Sequence, residues 1–223
     1  MQKKWKRIDK TRSLKPQQGA YQDWKPQLAE EGGGRCVYCA ILDAELGGQR
    51  NFHVEHFKPK NNLKFPEFAI LINDYDNLFY ACAICNTFKS NSWFSVKDGD
   101  WNTIHYPNPS LYNYGDFFEI TADIFTITGN HIVGEFLIQK LHLNRFQLIR
   151  SRRLETCEEK LNKISDQVGY TMKLLAKLIR NKKDAAFDYY EKIAEANYII
   201  VNLYREKSKH SLYAPDELRQ TEK

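Results

Sequence analysis

The chain has 223 residues, of which 42% are hydrophobic and 27% are charged, and its formal net charge is +5. This composition is typical of soluble globular proteins, and the mild positive charge permits contact with nucleic acid without requiring it. No apolar run approaches the roughly 18 residues of a membrane helix, and the N-terminus lacks the apolar stretch of a secretory signal, so we expect a cytoplasmic protein.

Residues 1–19 are polar and basic, and we predict that they form an extended arm. The first fifteen residues contain seven Lys and Arg side chains against one acid, Asp9. Such an arm can bind phosphate or an acidic partner, or it can be a solvated tail, and the sequence leaves both open. Trp5 lies in this polar segment, where we expect no core to bury it. It is therefore a candidate anchor for a partner protein.

The middle of the chain holds its densest clusters of Cys, His and acidic residues. Residues 20–31 are predicted to form a short helix, which the run Gly32-Gly33-Gly34 would end. Residues 35–95 contain the clusters themselves. A connection rich in Pro and Asn follows, and then residues 117–130 alternate as in a β-hairpin.

From His131 onward, apolar residues recur at helix-like intervals, and Asn144 is predicted to cap a helix between two helical segments. The spacing drifts from segment to segment, which favours a small helical bundle over a long coiled coil. We expect an α+β protein with a basic arm at 1–19, one domain at 20–110, and a hairpin and helical region at 111–223 that packs on it. No recognisable chemistry follows residue 110.

Four of the five cysteines form two C-x-x-C pairs, Cys36/Cys39 and Cys82/Cys85. In a reducing compartment such pairs indicate a metal before a disulfide. Four thiolates complete a tetrahedral zinc site and leave no position for a substrate, so we predict a structural zinc. The alternative is four unrelated buried cysteines. Cys157 lies in a helical stretch and is expected to be a small buried apolar residue.

The segment between the two pairs carries the residues that a metal-dependent phosphodiesterase needs. These are a base that activates water, an anchor for the base, and ligands for a hard cation. HVEHFKPK occupies residues 53–60, Asn77 follows, and Asn86 comes directly after the second C-x-x-C, with Lys89 three residues later.

Residues 36–89 resemble the HNH, or ββα-metal, endonucleases in the version where a four-cysteine zinc site frames the motif. The matching pattern is C-x-x-C, Glu-His-x-x-Pro, Asn-Leu and C-x-x-C-Asn-x-x-Lys. In this chain it consists of Cys36/Cys39, Glu55-His56 with Pro59, Asn77-Leu78, and Cys82/Cys85 with Asn86 and Lys89.

The resemblance implies a role for each motif residue. His56 would be the general base, and Asn77 would hold it in orientation. Glu55 and Asn86 would bind the catalytic divalent ion, and their oxygen ligands suit Mg²⁺ or Mn²⁺. Lys89 is a candidate phosphate contact within the motif.

Residues near the motif are less specific. His53 would point to the same side of a strand as Glu55, so it is either a third ligand or a partly exposed strand histidine, and the pattern favours the latter. Lys58 and Lys60 could bind phosphate, although single lysines on solvated surfaces are common. The other four histidines are expected to be structural or exposed. They are His105, His131, His142 and His210.

A looser resemblance over residues 20–155 is to the HNH proteins of bacterial Septu and retron-type anti-phage systems. It implies a defence nuclease that cuts DNA and acts with an ABC-type ATPase partner. Two alternatives stay open. One is an RNA-directed effector with the same chemistry, and the other is a non-catalytic zinc module that binds nucleic acid or protein.

Overall fold

In a computed structural model, the protein is described at residues 4–10, 19–97, 99–121, 124–181 and 185–210. Contacts within the chain divide it into two compact units, Met1–Ser151 and Arg152–Lys223. The hairpin and the first helix after it thus fall in the first unit, although the sequence analysis grouped them with the C-terminal helices. Within the described part of the chain, no helix is both long and apolar enough to cross a membrane.

The first unit begins with α1 (Lys25–Gly32), which follows a 3-10 turn at Tyr21–Trp24. This confirms the helix predicted at residues 20–31. The helix ends at Gly33, whose left-handed backbone is available to glycine at little cost. The chain then turns tightly through the first cysteine pair, where the Cys36 amide donates to the Ile41 carbonyl at 3.0 Å.

Two antiparallel strands and a short helix form the centre of this unit. They are β1 (Phe52–His56), β2 (Leu78–Cys82) and α2 (Ala83–Lys89). The register pairs Phe52 with Cys82 and His56 with Leu78. Every residue of β2 is buried, which explains its continuous apolar run.

The predicted hairpin is present as β3 (Phe118–Ile120) and β4 (Ile127–Gly129), which pair antiparallel, and α3 (Ile132–Lys140) packs on β4. Asn144 lies between helices as predicted, but its side chain binds a strand. Its Oδ1 accepts from the Ile127 amide and its Nδ2 donates to the Ile127 carbonyl, both at 2.8 Å.

Two long helices, α4 (Phe146–Asn181) and α5 (Ala185–His210), make up the rest of the described chain. Several of their large apolar side chains are exposed. They are Tyr170, Leu174, Phe187, Tyr198, Ile199 and Ile200. Cys157 is half-buried rather than fully buried.

The structure corrects the interpretation of Trp5. Its side chain is only 5% exposed and belongs to the core, where its ring lies 5.4 Å from that of Phe118 and its Nε1 donates to the Tyr38 carbonyl at 3.0 Å. Trp5 is therefore not available as a partner anchor. Lys10 is buried as well and pairs with Glu31 at 3.1 Å. The remainder of the predicted arm, at residues 1–3 and 11–18, lies outside the described residues.

Candidate functional site

The four paired cysteines come together at one point. Cys36 and Cys39 lie in the turn after α1, Cys82 ends β2, and Cys85 lies in the first turn of α2. All four are buried, and their sulfurs lie within 4.8 Å of one another. Two thiolates that each lie about 2.3 Å from a tetrahedral zinc are about 3.8 Å apart, and the Cys39 and Cys82 sulfurs are separated by 3.8 Å. The cluster could therefore hold a zinc ion.

The thiols of the cluster differ in the direction in which their pKa values are shifted. Burial raises the pKa of the Cys36 and Cys85 thiols, because a thiolate there loses its hydration. The pKa of Cys82 is lowered, because the neighbouring thiols and the Cys85 amide donate hydrogen bonds to its sulfur. A divalent cation among the sulfurs would favour the thiolate at every position.

Arg145 lies directly against this cluster, which the sequence analysis did not anticipate. Its Nη2 donates to the sulfurs of Cys39 and Cys85 at 3.5 Å and of Cys82 at 3.8 Å. Its Nη1 donates to the Leu141 carbonyl at 3.0 Å. Burial alone would lower the pKa of Arg145, but the nearby sulfurs outweigh it and the pKa is raised. A guanidinium here offsets the negative charge of the thiolates.

His56 ends β1, and a backbone contact orients its ring. Nε2 lies 3.0 Å from the Ile72 carbonyl oxygen. A carbonyl can only accept, so Nε2 carries the hydrogen and Nδ1 presents a lone pair. The edge of Tyr21 contacts the ring, with centroids 4.7 Å apart. This tautomer has a basic nitrogen on the side opposite Ile72.

The environment keeps His56 neutral. Burial lowers its pKa to about 4, and the positive charges of Lys60 and Lys89 act in the same direction, whereas the bond to Ile72 opposes them. Near pH 7 the imidazole is therefore unprotonated, as a general base must be.

Asn77 contacts the backbone that follows His56 and not the His56 ring. Its Oδ1 accepts from the Lys58 amide at 2.8 Å, and its Nδ2 donates to the Lys58 carbonyl at 3.1 Å. Nδ2 also lies 3.4 Å from the Leu71 carbonyl. These contacts fix both the turn after His56 and the segment that carries Ile72.

Glu55 is held by two buried partners. Its Oε1 lies 2.6 Å from Lys89 Nζ and accepts from the Tyr38 hydroxyl at 3.1 Å. Burial raises the pKa of Glu55, and the charge of Lys89 opposes this shift. Both contacts use Oε1, and Glu55 lines the cavity described below, so Oε2 is the oxygen that could serve a cation there.

The position of Lys89 differs from the expected one. Its side chain is 0% exposed, and it also donates to the His56 carbonyl at 3.1 Å. It is therefore not on a surface that a phosphate can reach. Lys89 instead contacts the Glu55 carboxylate and the His56 carbonyl from within the core.

The side chains of Asn86 and His53 are in contact with each other. The Asn86 amide nitrogen lies 3.2 Å from His53 Nδ1. His53 is exposed, as expected for a strand histidine, but the contact also places it at the site. Its two alternative roles therefore stay open.

A cavity of about 670 Å³ joins these residues. Its walls include five candidate residues from the sequence analysis, His53, Glu55, His56, Lys60 and Asn86, together with Tyr21 and Lys25. Asn77 and Lys89 lie behind it. Among the described residues, the four cysteines are the only group of three or more His, Cys, Asp or Glu placed to hold an ion. An ion in the cavity would thus rely on few protein ligands, as Mg²⁺ often does.

Of the remaining predicted residues, Lys60 is on the wall of this cavity, whereas Lys58, His105, His131 and His142 are not. Lys58 is half-buried, with Nζ 5.7 Å from the centre of the Phe68 ring. Lys60 donates to the Tyr21 hydroxyl. His105 is buried, His131 is half-buried and His142 is exposed. The side chain of His210 lies outside the described residues.

Tyr21, Tyr38 and Ile72 were missed by the sequence analysis. They lie outside the motif, and only the folded chain brings them to it. We compared the chain with protein-family models, curated proteins and solved structures, and none matched.

Proposed function

We propose that this protein is a metal-dependent endonuclease of the HNH type that hydrolyses phosphodiester bonds in DNA. The observation that carries the proposal is the neutral, oriented His56 in one cavity with Glu55 and Asn86. The succession β1, β2, α2 supports it, because two antiparallel strands and a helix are what the ββα-metal resemblance implies. The four-cysteine cluster would be a structural zinc site outside the cavity.

In this proposal, each residue of the site has a separate role. Nδ1 of His56 takes a proton from the attacking water, while Ile72 and the backbone contacts of Asn77 keep the ring in place. Glu55 Oε2 and the Asn86 amide oxygen would hold Mg²⁺ or Mn²⁺, which when bound stabilises negative charge on the phosphate and the leaving oxygen. Lys89 and Tyr38 hold Glu55 in position.

Two other functions compete with this one. A non-catalytic zinc module accounts for the cysteines but gives no reason for a buried, neutral histidine beside a buried carboxylate. An RNA-directed nuclease would use the same residues, so only the substrate distinguishes it.

The test is cleavage of plasmid DNA and of RNA with Mg²⁺ or Mn²⁺. We expect His56→Ala to lower the DNA cleavage rate by about 10²–10⁴, the usual contribution of a general base. His142→Ala is the matched control, because His142 is exposed and does not line the cavity. Equal rates for wild type and His56→Ala would contradict the proposal, and cleavage of RNA alone would favour the RNA-directed alternative.

We further propose an ABC-type ATPase as partner and a role in anti-phage defence. Both rest on the resemblance to Septu and retron-type proteins. Because Trp5 is buried, the candidate docking surface moves to the exposed apolar side chains of α4 and α5.

A further inference from the structure

Two further cavities adjoin the cavity that contains His56. This cavity shares Asn61 and Asn91 with a second cavity of about 450 Å³. The second cavity shares Trp93 and Phe94 with a third of about 310 Å³. Because neighbouring cavities have wall residues in common, the three lie next to one another. We call the three cavities together the groove.

The groove is rich in positive charge. Lys25 and Lys60 line its first cavity, Lys64 its second and Lys58 its third. The acidic wall residues are Glu55, which is paired with Lys89, and Glu67. A chain of phosphates along the groove would therefore meet more positive than negative charge.

The far end of the groove is aromatic. The third cavity is lined by six aromatic side chains, Phe57, Phe65, Phe68, Trp93, Phe94 and Tyr106. Phe65, Trp93 and Phe94 are half-buried, so part of each residue is accessible. Leu63, on the wall of the second cavity, is 100% exposed. Exposed apolar surface of this kind is available to a ligand.

We propose that the groove binds single-stranded nucleic acid, with phosphates along the lysines and unstacked bases against Trp93 and its aromatic neighbours. This deepens the proposed function and rests on it, because it defines the substrate as one with an unpaired strand next to the cut. Charged grooves with aromatic platforms are the common means of binding single strands. In a duplex the faces of the bases are already stacked on each other, so these rings would gain little.

The experiment measures binding by fluorescence anisotropy in the His56→Ala background, which prevents cleavage. The probes are a labelled 12-nucleotide DNA strand, the RNA strand of the same sequence and the DNA duplex. We expect a single strand to bind at least about tenfold more tightly than the duplex. Tight binding of either strand supports the proposal, and the tighter of the two identifies the sugar.

Variants test the groove itself. Trp93→Leu should weaken single-strand binding by about 5- to 100-fold, as expected when one base loses its stacking partner, and Trp93→Phe should restore most of it. Lys64→Gln should lower the slope of log K against log salt by about 0.7, the value for one phosphate contact. Lys97→Gln is the control, because Lys97 is exposed and lines none of the three cavities.

The outcomes separate this inference from the proposed function. If duplex and single strand bind alike, or if Trp93→Leu and Lys64→Gln have no effect in folded, zinc-loaded protein, the inference fails. Wild type that still cuts DNA in that case leaves the nuclease proposal intact. Conversely, single-strand binding through Trp93 in a protein that cuts nothing would support the groove and overturn the nuclease.

Discussion

At the scale of single residues, the chemistry of His56 depends on what surrounds its ring. One backbone carbonyl selects the tautomer, and burial keeps the ring neutral. The same burial has a cost for the fold, because the unfolded chain accepts a proton at this position more readily than the folded one. The burial that keeps the proposed general base neutral thus also makes the stability of the fold depend on pH.

The first prediction concerns this linkage. The pKa of His56 is about 4 in the folded protein and about 6.5 in an unfolded chain. Between these values the unfolded state binds more protons, so stability falls as the pH is lowered from 6.5 to 4. Between pH 7 and pH 5, the melting temperature of His56→Gln should fall less than that of wild type. The melting temperature of the exposed His142→Gln should fall as much as that of wild type. Parallel losses in all three proteins would contradict the prediction.

Arg145 carries the second prediction. Removing a residue that contacts metal ligands typically costs about 10- to 100-fold in metal affinity. We therefore expect Arg145→Met to lose zinc to a chelator at a correspondingly lower concentration, with Arg145→Lys less affected. Arg150→Met is the control on an exposed arginine of α4. Unchanged zinc affinity in Arg145→Met would show that the guanidinium has no role at the cluster.

The third prediction concerns the buried pair of Lys89 and Glu55. Breaking a buried ion pair by removing one partner typically costs about 3–5 kcal/mol. Lys89→Met should therefore be strongly destabilised in urea unfolding. Burial raises the pKa of Glu55 and the charge of Lys89 opposes this shift, so without Lys89 the pKa rises further and the loss of stability should grow as the pH is raised. Adding Glu55→Gln should recover part of the stability. Lys89→Met as stable as wild type at pH 8 would refute the pairing.

At the scale of elements, β1, β2 and α2 connect the two parts of the candidate site. The strand pair places Cys82 at one end and His56 at the other, in the register Phe52–Cys82 and His56–Leu78. Elsewhere in the first unit, the β3–β4 hairpin packs against α3. That contact depends on two glycines, Gly129 and Gly134.

The fourth prediction uses these glycines. A Cβ at Gly134 would lie 2.4 Å from the Phe117 carbonyl oxygen and 2.9 Å from the Gly129 Cα, so the backbone would have to move. Gly134→Ala should destabilise the protein by about 1–3 kcal/mol despite the helix propensity of alanine. Gly169, in α4, has no heavy atom within 4 Å of such a Cβ, and Gly169→Ala should stabilise by up to about 1 kcal/mol. Equal effects in denaturant unfolding would contradict the packing argument.

At the scale of the whole molecule, the second unit has exposed apolar surface, and none of its described residues belongs to the candidate site. Tyr198 is 72% exposed and Ile199 is 54% exposed. Exposed apolar patches in globular proteins often mark interaction sites. This distribution favours a division in which the first unit carries the chemistry and the second binds another protein.

The fifth prediction follows from this division. Tyr198→Asp with Ile199→Asp should abolish capture of the proposed ATPase partner while leaving zinc content and the proposed cleavage activity unchanged. Lys192→Asp, on the same helix and also exposed, should leave capture intact. Full capture by the double variant would refute docking on α5, and a change from dimer to monomer would instead indicate that a second copy of the chain covers this surface.

Local spacing in the sequence predicted the helix before the cysteines and the β3–β4 hairpin, the two C-x-x-C pairs predicted the cysteine cluster, and the resemblance predicted the grouping of Glu55, His56 and Asn86. The sequence did not predict the burial of Trp5 or Lys89, the contact of Arg145 with the sulfurs, or the role of Ile72. Residue 145 is more than 100 positions from Cys39, and burial depends on which distant segments pack together. Motif spacing identified the candidate groups, whereas tertiary packing decided their tautomer, charge and access, because these depend on neighbours that are distant in the sequence.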